Sequence, residues 1–503
     1  VTPSPRSRGA GVVDHEILVV GAGFSGLGAG IKLKDAAFED FAILEQAADL
    51  GGTWRDNTYP GVAVDIPSFN YSFSFAPHPG WSRVFAGGAE IKEYADRCAD
   101  AYDLRRRMRF ETTVTRAAFD ESAQAWRVDT TAGRLTARYL ITACGAMTRP
   151  KEPDIPGLAD FEGKSMHTAR WDHAYDHRGK RVAVIGTGAS AVQLVPAIAE
   201  SVGALYLFQR TPAWVLPKPN RAIPRWMQTL FRAVPATQKG VRLAASLLTE
   251  LVMVMGVIRH RQVPGLGRRI EAMCLGHLER QVADAELREK LTPRHRFGCR
   301  RPCASDDYYP ALTRKNVELV TEPIERITRS GIRIVDGRTR AIDALVLATG
   351  FQPFEVGNVP PFEVYGRGGR ELGRFWTENR YQAYEGATVP AFPNLFMVPG
   401  PYSATRASWF TMVEAQTTHA IRCLTEARRR RARTIEIRQE PHDAFLRDVL
   451  RRQGDSVFRG GHCSPADSPY FDRHGDVPSL RPSLGLELWW RSRHFDLDHY
   501  RFA

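Results

Sequence analysis

Apolar residues in this chain collect in short unbroken runs that end in glycine. In EILVVGAGFSG, Ile17 to Val20 are all apolar, and the run turns through Gly21-x-Gly23-x-x-Gly26 into the small-residue helix start LGAGIKL. Runs of this length bounded by turns belong to strands covered on both faces. FAILE supplies a second such strand, ending in Glu45. KRVAVIGTGASA repeats the arrangement with Gly186-x-Gly188-x-x-Ala191, and LYLFQR follows as a strand ending in Arg210. AIDALVLATGF reads as a further buried strand ending in Ala348-Thr349-Gly350, with a degenerate copy, YLITACG, ending at Gly145. From about Pro217 to Arg296 the period becomes helical and no glycine turn interrupts it. The pattern predicts an α/β chain with two Rossmann-like dinucleotide-binding domains, the second carrying a helical insert.

Each glycine turn has a physical reading. The first glycine allows a tight turn, the second lets backbone approach a pyrophosphate, and the third lets helix and strand pack closely. The helix start behind the turn supplies N–H donors and the positive end of a dipole. Glu45 lies 19 residues past Gly26, where a carboxylate accepts ribose hydroxyls. Arg210 lies 19 residues past Ala191, the same offset. A carboxylate there repels a 2′-phosphate, whereas a guanidinium forks onto it. The first turn is therefore expected to take a cofactor with a free ribose, such as FAD. The second, with Ser190 inside it and Thr211 after the arginine, is expected to take NADPH. Strands such as AIDALVLATG mark crossings between two nucleotide folds, which makes the FAD domain discontinuous. The expected division is 1–147 and 341–503 for FAD, 148–216 and 297–340 for NADP, and 217–296 for the helical insert.

Composition narrows the partners. The 503 residues are 43% hydrophobic and 25% charged, as in ordinary globular proteins. The first dozen residues have the composition of a loose tail, and no apolar run of the kind found in signal peptides opens the chain. The net charge of +13 is mostly arginine, in clusters such as LRRRMR and ARRRRAR. No aromatic-interleaved basic motif accompanies them, so they read as solvated helix faces and no nucleic acid is expected. The seven cysteines are scattered, and the nearest pair, Cys299 and Cys303, has no company suited to zinc. This predicts no metal, no disulfide and a cytoplasmic setting. The most apolar helical run, Leu243 to Ile258, is about 16 residues long and carries Glu250. It is expected to be a buried helix and not an integral membrane segment, the other reading being a surface that meets a membrane or an apolar substrate.

Between the two nucleotide folds lies FEGKSMHTARWD, too polar for a core strand. With its flanks it resembles the fingerprint FxGxxxHxxxW(P/D) of the type I Baeyer–Villiger monooxygenases, through Phe161, Gly163, His167, Trp171 and Asp172. A second signature of that family, GxWxxxx(F/Y)PGxxxD, is met by Gly52, Trp54, Tyr59, Pro60, Gly61 and Asp65. The resemblance covers nearly the whole chain and is nearest the branch of 4-hydroxyacetophenone monooxygenase. It implies an FAD-containing enzyme that uses NADPH and dioxygen to insert one oxygen beside a ketone carbonyl through a C4a-peroxyflavin, giving an ester or lactone. In FGCRRPCASDDYY it implies Arg301 as the catalytic arginine, Arg300 beside Arg210 on the 2′-phosphate, and Asp65 as the carboxylate that orients Arg301. Around the flavin it places Gly52, Thr53, Trp54 and Tyr71. His167 is implied to couple domain movement to catalysis; packing of a domain junction is the plainer reading of His167 and Trp171.

The chain departs from that family at Tyr402 and the following SATRASW, at the Val-Ala-Val before Asp65, and in the tail GGHCSPADSPYFD, all of which bear on pocket shape. The alternative is a related flavin enzyme that oxygenates sulfur or nitrogen; such enzymes usually have Tyr or Phe where Trp171 stands. A flavin disulfide reductase needs a redox cysteine pair near the first nucleotide fold, and the first 140 residues hold only Cys98. The ketone and the oligomeric state are not legible.

Overall fold

The structure, a computed structural model, describes residues 13–351, 357–405, 408–463, 468 and 470–503. The N-terminal tail up to residue 12, Arg406 and Ala407 of SATRASW, and residues 464–467 and 469 of the C-terminal tail lie outside the described residues.

The two apolar-run units each build one sheet. The first has eight strands. Glu363–Tyr365, Val114–Asp120, Ala125–Thr130, Gly133–Thr142, His15–Val20, Phe41–Leu44 and Met108–Arg109 lie side by side, and Leu395–Met397 pairs beside Gly133–Thr142. His15–Val20 runs parallel to both its neighbours, and Ile17, Leu18 and Val19 are fully buried. The second sheet has five parallel strands, in the order Val317–Val320, Ala204–Phe208, Arg181–Ile185, Ala344–Leu347 and Lys164–His167. Val182, Ala183 and Val184 are buried on both faces, which explains their unbroken apolar run. Burial of each of the two valines contributes about 1.5–3 kcal/mol.

Helices cover both sheets. Phe24–Asp35 follows the first glycine turn and packs on the long helix Trp409–Arg430. The approach is close: a Cβ on Gly28 would meet Val413 Cγ1 at 2.7 Å. Ala189–Ile198 follows the second turn. The insert consists of the helices Arg225–Ala233, Pro235–Thr249, Pro264–Gln281 and Ala285–Leu291, with a π-helical stretch, Glu250–Ile258, continuing the second of them.

Three expectations are corrected. The strand in AIDALVLATGF, Ala344–Leu347, sits inside the second sheet between Arg181–Ile185 and Lys164–His167. The chain therefore returns to the first unit past Leu347 and not at 341. Second, the C-terminal segment does not belong wholly to the first unit. Val457, Phe458, Val477 and Leu480 pack with Trp214, Val254, Val257, Ile270 and Phe297 in a core shared with the insert. A disulfide joins Cys299 to Cys463 within that core, where none was expected. The partners stand 164 residues apart, a separation that sequence spacing cannot read. Third, the apolar run is not a buried helix. It is part of a helix over Pro235–Ile258, 24 residues long, whose most apolar window is only 28% buried.

Candidate active site

The first glycine turn forms a close-walled cradle. Gly21 has φ +108°, and a Cβ there would stand 2.6 Å from the Ala143 carbonyl oxygen. A Cβ on Gly26 would stand 1.8 Å from the carbonyl oxygen of Gly21, so only glycine lets helix and strand meet. Gly23 faces Gly52: a Cβ on Gly52 would come 3.1 Å from the Gly23 Cα. Gly23 caps a helix start with no acidic residue in its first turn and no side-chain cap, which leaves N–H donors for an anion. Glu45 is buried and already oriented: Ala22 N donates to Oε2 at 2.8 Å, and Ala47 N and Arg55 Nη1 donate to Oε1 at 3.0 Å. Arg55 escaped the sequence reading. Its guanidinium neutralises the buried carboxylate, and capacity remains on Oε2 for a hydroxyl donor. Nearby, Trp54 Nε1 donates to Tyr71 Oη at 2.9 Å, with the two rings edge to face. Burial raises the Tyr71 phenol well above its ordinary range. Thr53 opens the one-turn helix Thr53–Asp56 behind Gly52.

The second turn is open. Gly186 has φ +114° and would clash with the Ala348 carbonyl, so it makes the tight turn. Gly188 faces open space, as does Gly350 at the end of the neighbouring strand. Ala191 is fully buried against the sheet, and Ser190 is partly exposed at the helix start. Arg210 is exposed just past Ala204–Phe208, and the Thr211 carbonyl accepts a bond from Thr187 Oγ1 at 2.8 Å, tying this strand end to the glycine turn. Arg300 is close enough to His295 to help hold that imidazole down at about 4, burial being the larger cause.

The polar connector is an edge strand with a short turn. Lys164–His167 pairs with Ala344–Leu347, so the segment belongs to the second sheet. Gly163 is needed for close approach: a Cβ would meet the Phe161 ring at 2.4 Å and the Asp343 carbonyl at 2.7 Å. His167 is buried, its Nδ1 accepts from Ala169 N at 3.0 Å, and burial lowers its pKa. It faces Phe351 edge-on, while Trp171 packs on the second core and lies edge-on to His177. Asp172 ties the turn back to Lys164.

The two units meet at Asp65 and Arg301. Arg301 Nη2 lies 2.6 Å from Asp65 Oδ2, and Nε donates to the same oxygen at 2.8 Å. Attraction to Asp65 raises the guanidinium pKa further, so the cation is permanent. Each partner has its own anchor. Arg301 lies just before the strand Cys303–Ala304, which pairs with Val215–Leu216. Asp65 sits in a loop fixed by Val64 N to Ala86 O at 3.1 Å and Ser68 N to Val84 O at 2.7 Å. Gln193, on the second unit's helix, accepts from Tyr59 Oη at 2.9 Å and donates to Ala63 O at 3.0 Å. Gly61, with φ +82°, lies so close to that helix that a Cβ would stand 2.5 Å from the Gln193 carbonyl.

These contacts locate a cation at the junction of a closed nucleotide cradle and an open one. Residues 18–242 match the family model described as pyridine nucleotide-disulphide oxidoreductase. A Baeyer–Villiger monooxygenase of Streptomyces coelicolor is 40% identical over 491 residues, covering 96% of this chain and 92% of that protein. The chain belongs to the Baeyer–Villiger monooxygenase family. Among solved structures, OTEMO in complex with FAD and NADP superposes with a TM-score of 0.86 at 26% identity, over 98% of this chain and 100% of that one. An oxidised steroid monooxygenase bound to NADP gives a TM-score of 0.86 at 29% identity, over 97% and 99% of the two chains.

In this family member the geometry adds residues that the motifs did not single out. Lys218 lies within electrostatic reach of Asp65, and burial lowers its pKa. Cys303 is buried beside Asp65, Arg301 and Lys218, and its thiol is pushed up to about 12, chiefly by burial. No spacing signal marks Lys218 or Gln193, because each reaches the junction only through the packing of the two units. Tyr402 is fully buried with φ +57°, and its N–H donates to Pro478 O at 2.6 Å. Among the described residues no group of His, Cys, Asp or Glu could hold a metal.

Proposed function

We propose that Arg301, held by Asp65, is the catalytic cation of this FAD-containing, NADPH-dependent Baeyer–Villiger monooxygenase, which inserts one atom of dioxygen beside a ketone carbonyl to give an ester or lactone. The observation that carries the assignment is the pair of contacts from Arg301 Nε and Nη2 to one oxygen of Asp65 at the junction of the two units.

The residues present fit both cofactors. The paired glycines Gly23 and Gly52 leave room for backbone to approach a pyrophosphate, Glu45 keeps an acceptor for ribose, and Trp54 and Tyr71 wall the flavin side. Gly188 opens to the surface beside Arg210, Thr211 and Ser190, a donor set suited to a phosphorylated ribose, with Arg300 as a second cation. Bound flavin, reduced by hydride from NADPH, supplies the activation of dioxygen.

The chain's own part is electrostatic and positional. Asp65 fixes the Arg301 side chain before substrate arrives, so little reorganisation is needed as negative charge develops on the ketone oxygen. Arg301 stays half-exposed despite this pair. Phe161, Gly163, His167 and Trp171 hold the edge strand of the second unit. Through that strand they set where Gly350 and the open turn lie, the position from which coupling of domain movement to chemistry would act. The test is product analysis with NADPH, a ketone panel and isotopically labelled dioxygen. One labelled oxygen in an ester or lactone is expected; sulfoxide or N-oxide as the only product, or none, rejects the assignment.

A further inference from the structure

The helix over Pro235–Ile258 turns its most apolar face outward. Leu243, Leu247, Leu248 and Leu251 are exposed, Leu247 by 62%. Their spacing of three and four residues puts them on one stripe. A second element extends the surface. Gly485, at the start of the helix Gly485–His494, donates its N–H to Glu250 Oε1 at 2.9 Å, which brings that helix beside the stripe. Leu486, 73% exposed, and Trp490, also exposed, lie on it. Soluble monomers rarely expose contiguous apolar surface of this kind without a partner.

The helix does not leave the protein surface. Arg242 Nη1 donates to Phe69 O and Ser72 O, Ser246 Oγ contacts Asn70 Oδ1, and Val254 and Val257 are fully buried in the insert's core. It is held along its length, lying flat over the turn that carries Tyr71. Its charge selects the partner. Arg221, Arg225, Arg232 and Lys239 are exposed on and before this helix, and no Asp or Glu occurs from Lys218 to Thr249. Three carboxylates at the edge are engaged: Glu250 by the Gly485 N–H, Glu487 by Arg452, whose Nη1 is 2.5 Å away, and Glu414 by the Ser74 N–H at 2.6 Å. Arg493 stacks over Trp489, adding a cation at the tryptophan edge. A second copy of this surface, brought face to face by two-fold symmetry, would set these cations against themselves. An anionic bilayer surface matches both the apolar stripe and its charge, the arrangement of helices that lie in the membrane interface.

We propose that this surface, the Pro235–Ile258 helix with the Gly485–His494 helix, docks the enzyme on anionic membranes without spanning them. It rests on surface residues alone and does not depend on the assignment of Arg301. The experiment is co-sedimentation of the full-length holoenzyme with vesicles of phosphatidylcholine alone and of phosphatidylcholine with phosphatidylglycerol. Association is expected with the anionic vesicles, roughly tenfold or more stronger than with neutral ones and weakened by salt. The double variant Leu247→Glu/Leu248→Glu is expected to lose it by about tenfold or more while keeping its flavin absorbance and its turnover of a water-soluble ketone. Leu486→Glu, on the other helix, gives an independent reading should the double variant fold poorly. No association with anionic vesicles overturns the proposal. So does association that Leu486→Glu and the double variant leave intact, or patch-dependent dimerisation in lipid-free solution with no vesicle binding.

Discussion

The two glycine turns share a sequence pattern and differ in their walls. Gly26 cannot bear a Cβ, Gly23 faces another glycine, and the acid that follows is buried under an arginine. At the second turn Gly188 meets nothing, and Arg210 stands exposed. The helix behind the first turn is pressed by the 22-residue helix Trp409–Arg430, whereas the helix behind the second meets the five-residue helix Tyr308–Leu312. The difference teaches that one fingerprint serves two kinds of binding. An enclosed cradle suits a resident flavin, and an open one suits a nicotinamide cofactor that must exchange in every turnover.

The largest effect is expected from a pair of glycine substitutions. Gly26→Val should yield protein without flavin, because the side chain would overlap the Gly21 carbonyl. Gly188→Ala should fold with a full flavin complement and show only a raised KM for NADPH. Equal flavin content in the two, read from the absorbance of purified protein, would remove the distinction between closed and open cradles.

The next effect concerns what closes the first unit. Glu385 is buried and paired with Arg481 and Arg491, which come from the C-terminal segment. Glu385→Gln leaves Arg481 buried without its counter-charge and should cost about 3–5 kcal/mol of stability, measured by denaturant unfolding of the holoprotein. Its carboxyl is held down at about 2 against an ordinary 4.5, by the two arginines against the opposing effect of burial. The folded pKa is the lower one, so the stabilisation is fully present above about 4.5 and is lost as pH falls towards about 2. Wild type should therefore lose stability more steeply than Glu385→Gln across that window.

Arg301→Ala tests the junction between the cradles. Flavin binding should persist, while the rate of ketone oxygenation falls by about 10²–10³, the cost of removing one preorganised charge-stabilising donor. Asp65→Asn should give a smaller loss, since the positive charge remains and only its orientation suffers. Ester formation by Arg301→Ala at the wild-type rate would move the catalytic cation elsewhere, with Lys218 the next group to examine.

The smallest effect lies at the open cradle. Arg210→Ala should narrow the preference for NADPH over NADH by about one to two decades in kcat/KM, corresponding to a charged hydrogen bond of about 1.5–3 kcal/mol. The loss should fall on NADPH and leave NADH nearly unchanged. An unaltered ratio would assign the 2′-phosphate to Arg300 alone.

The sequence by itself determined the two α/β units, their glycine turns, and the Glu45 and Arg210 strand ends, because each depends on contacts within some thirty residues and on alternation rules that any strand or helix obeys. The motif residues Asp65 and Arg301 were legible as a pair only through their family resemblance, which implied that Asp65 orients Arg301. The fold closes that pair across 236 residues; tertiary structure alone set Gln193 between the units and joined Cys299 to Cys463. It also moved Ala344–Leu347 into the second sheet, since an apolar strand run fits either sheet and only pairing partners choose between them. The Pro235–Ile258 helix shows the same limit from the other side. Apolar periodicity fixes that a face is apolar, but whether that face is buried depends on what packs against it, and here its leucines stay exposed.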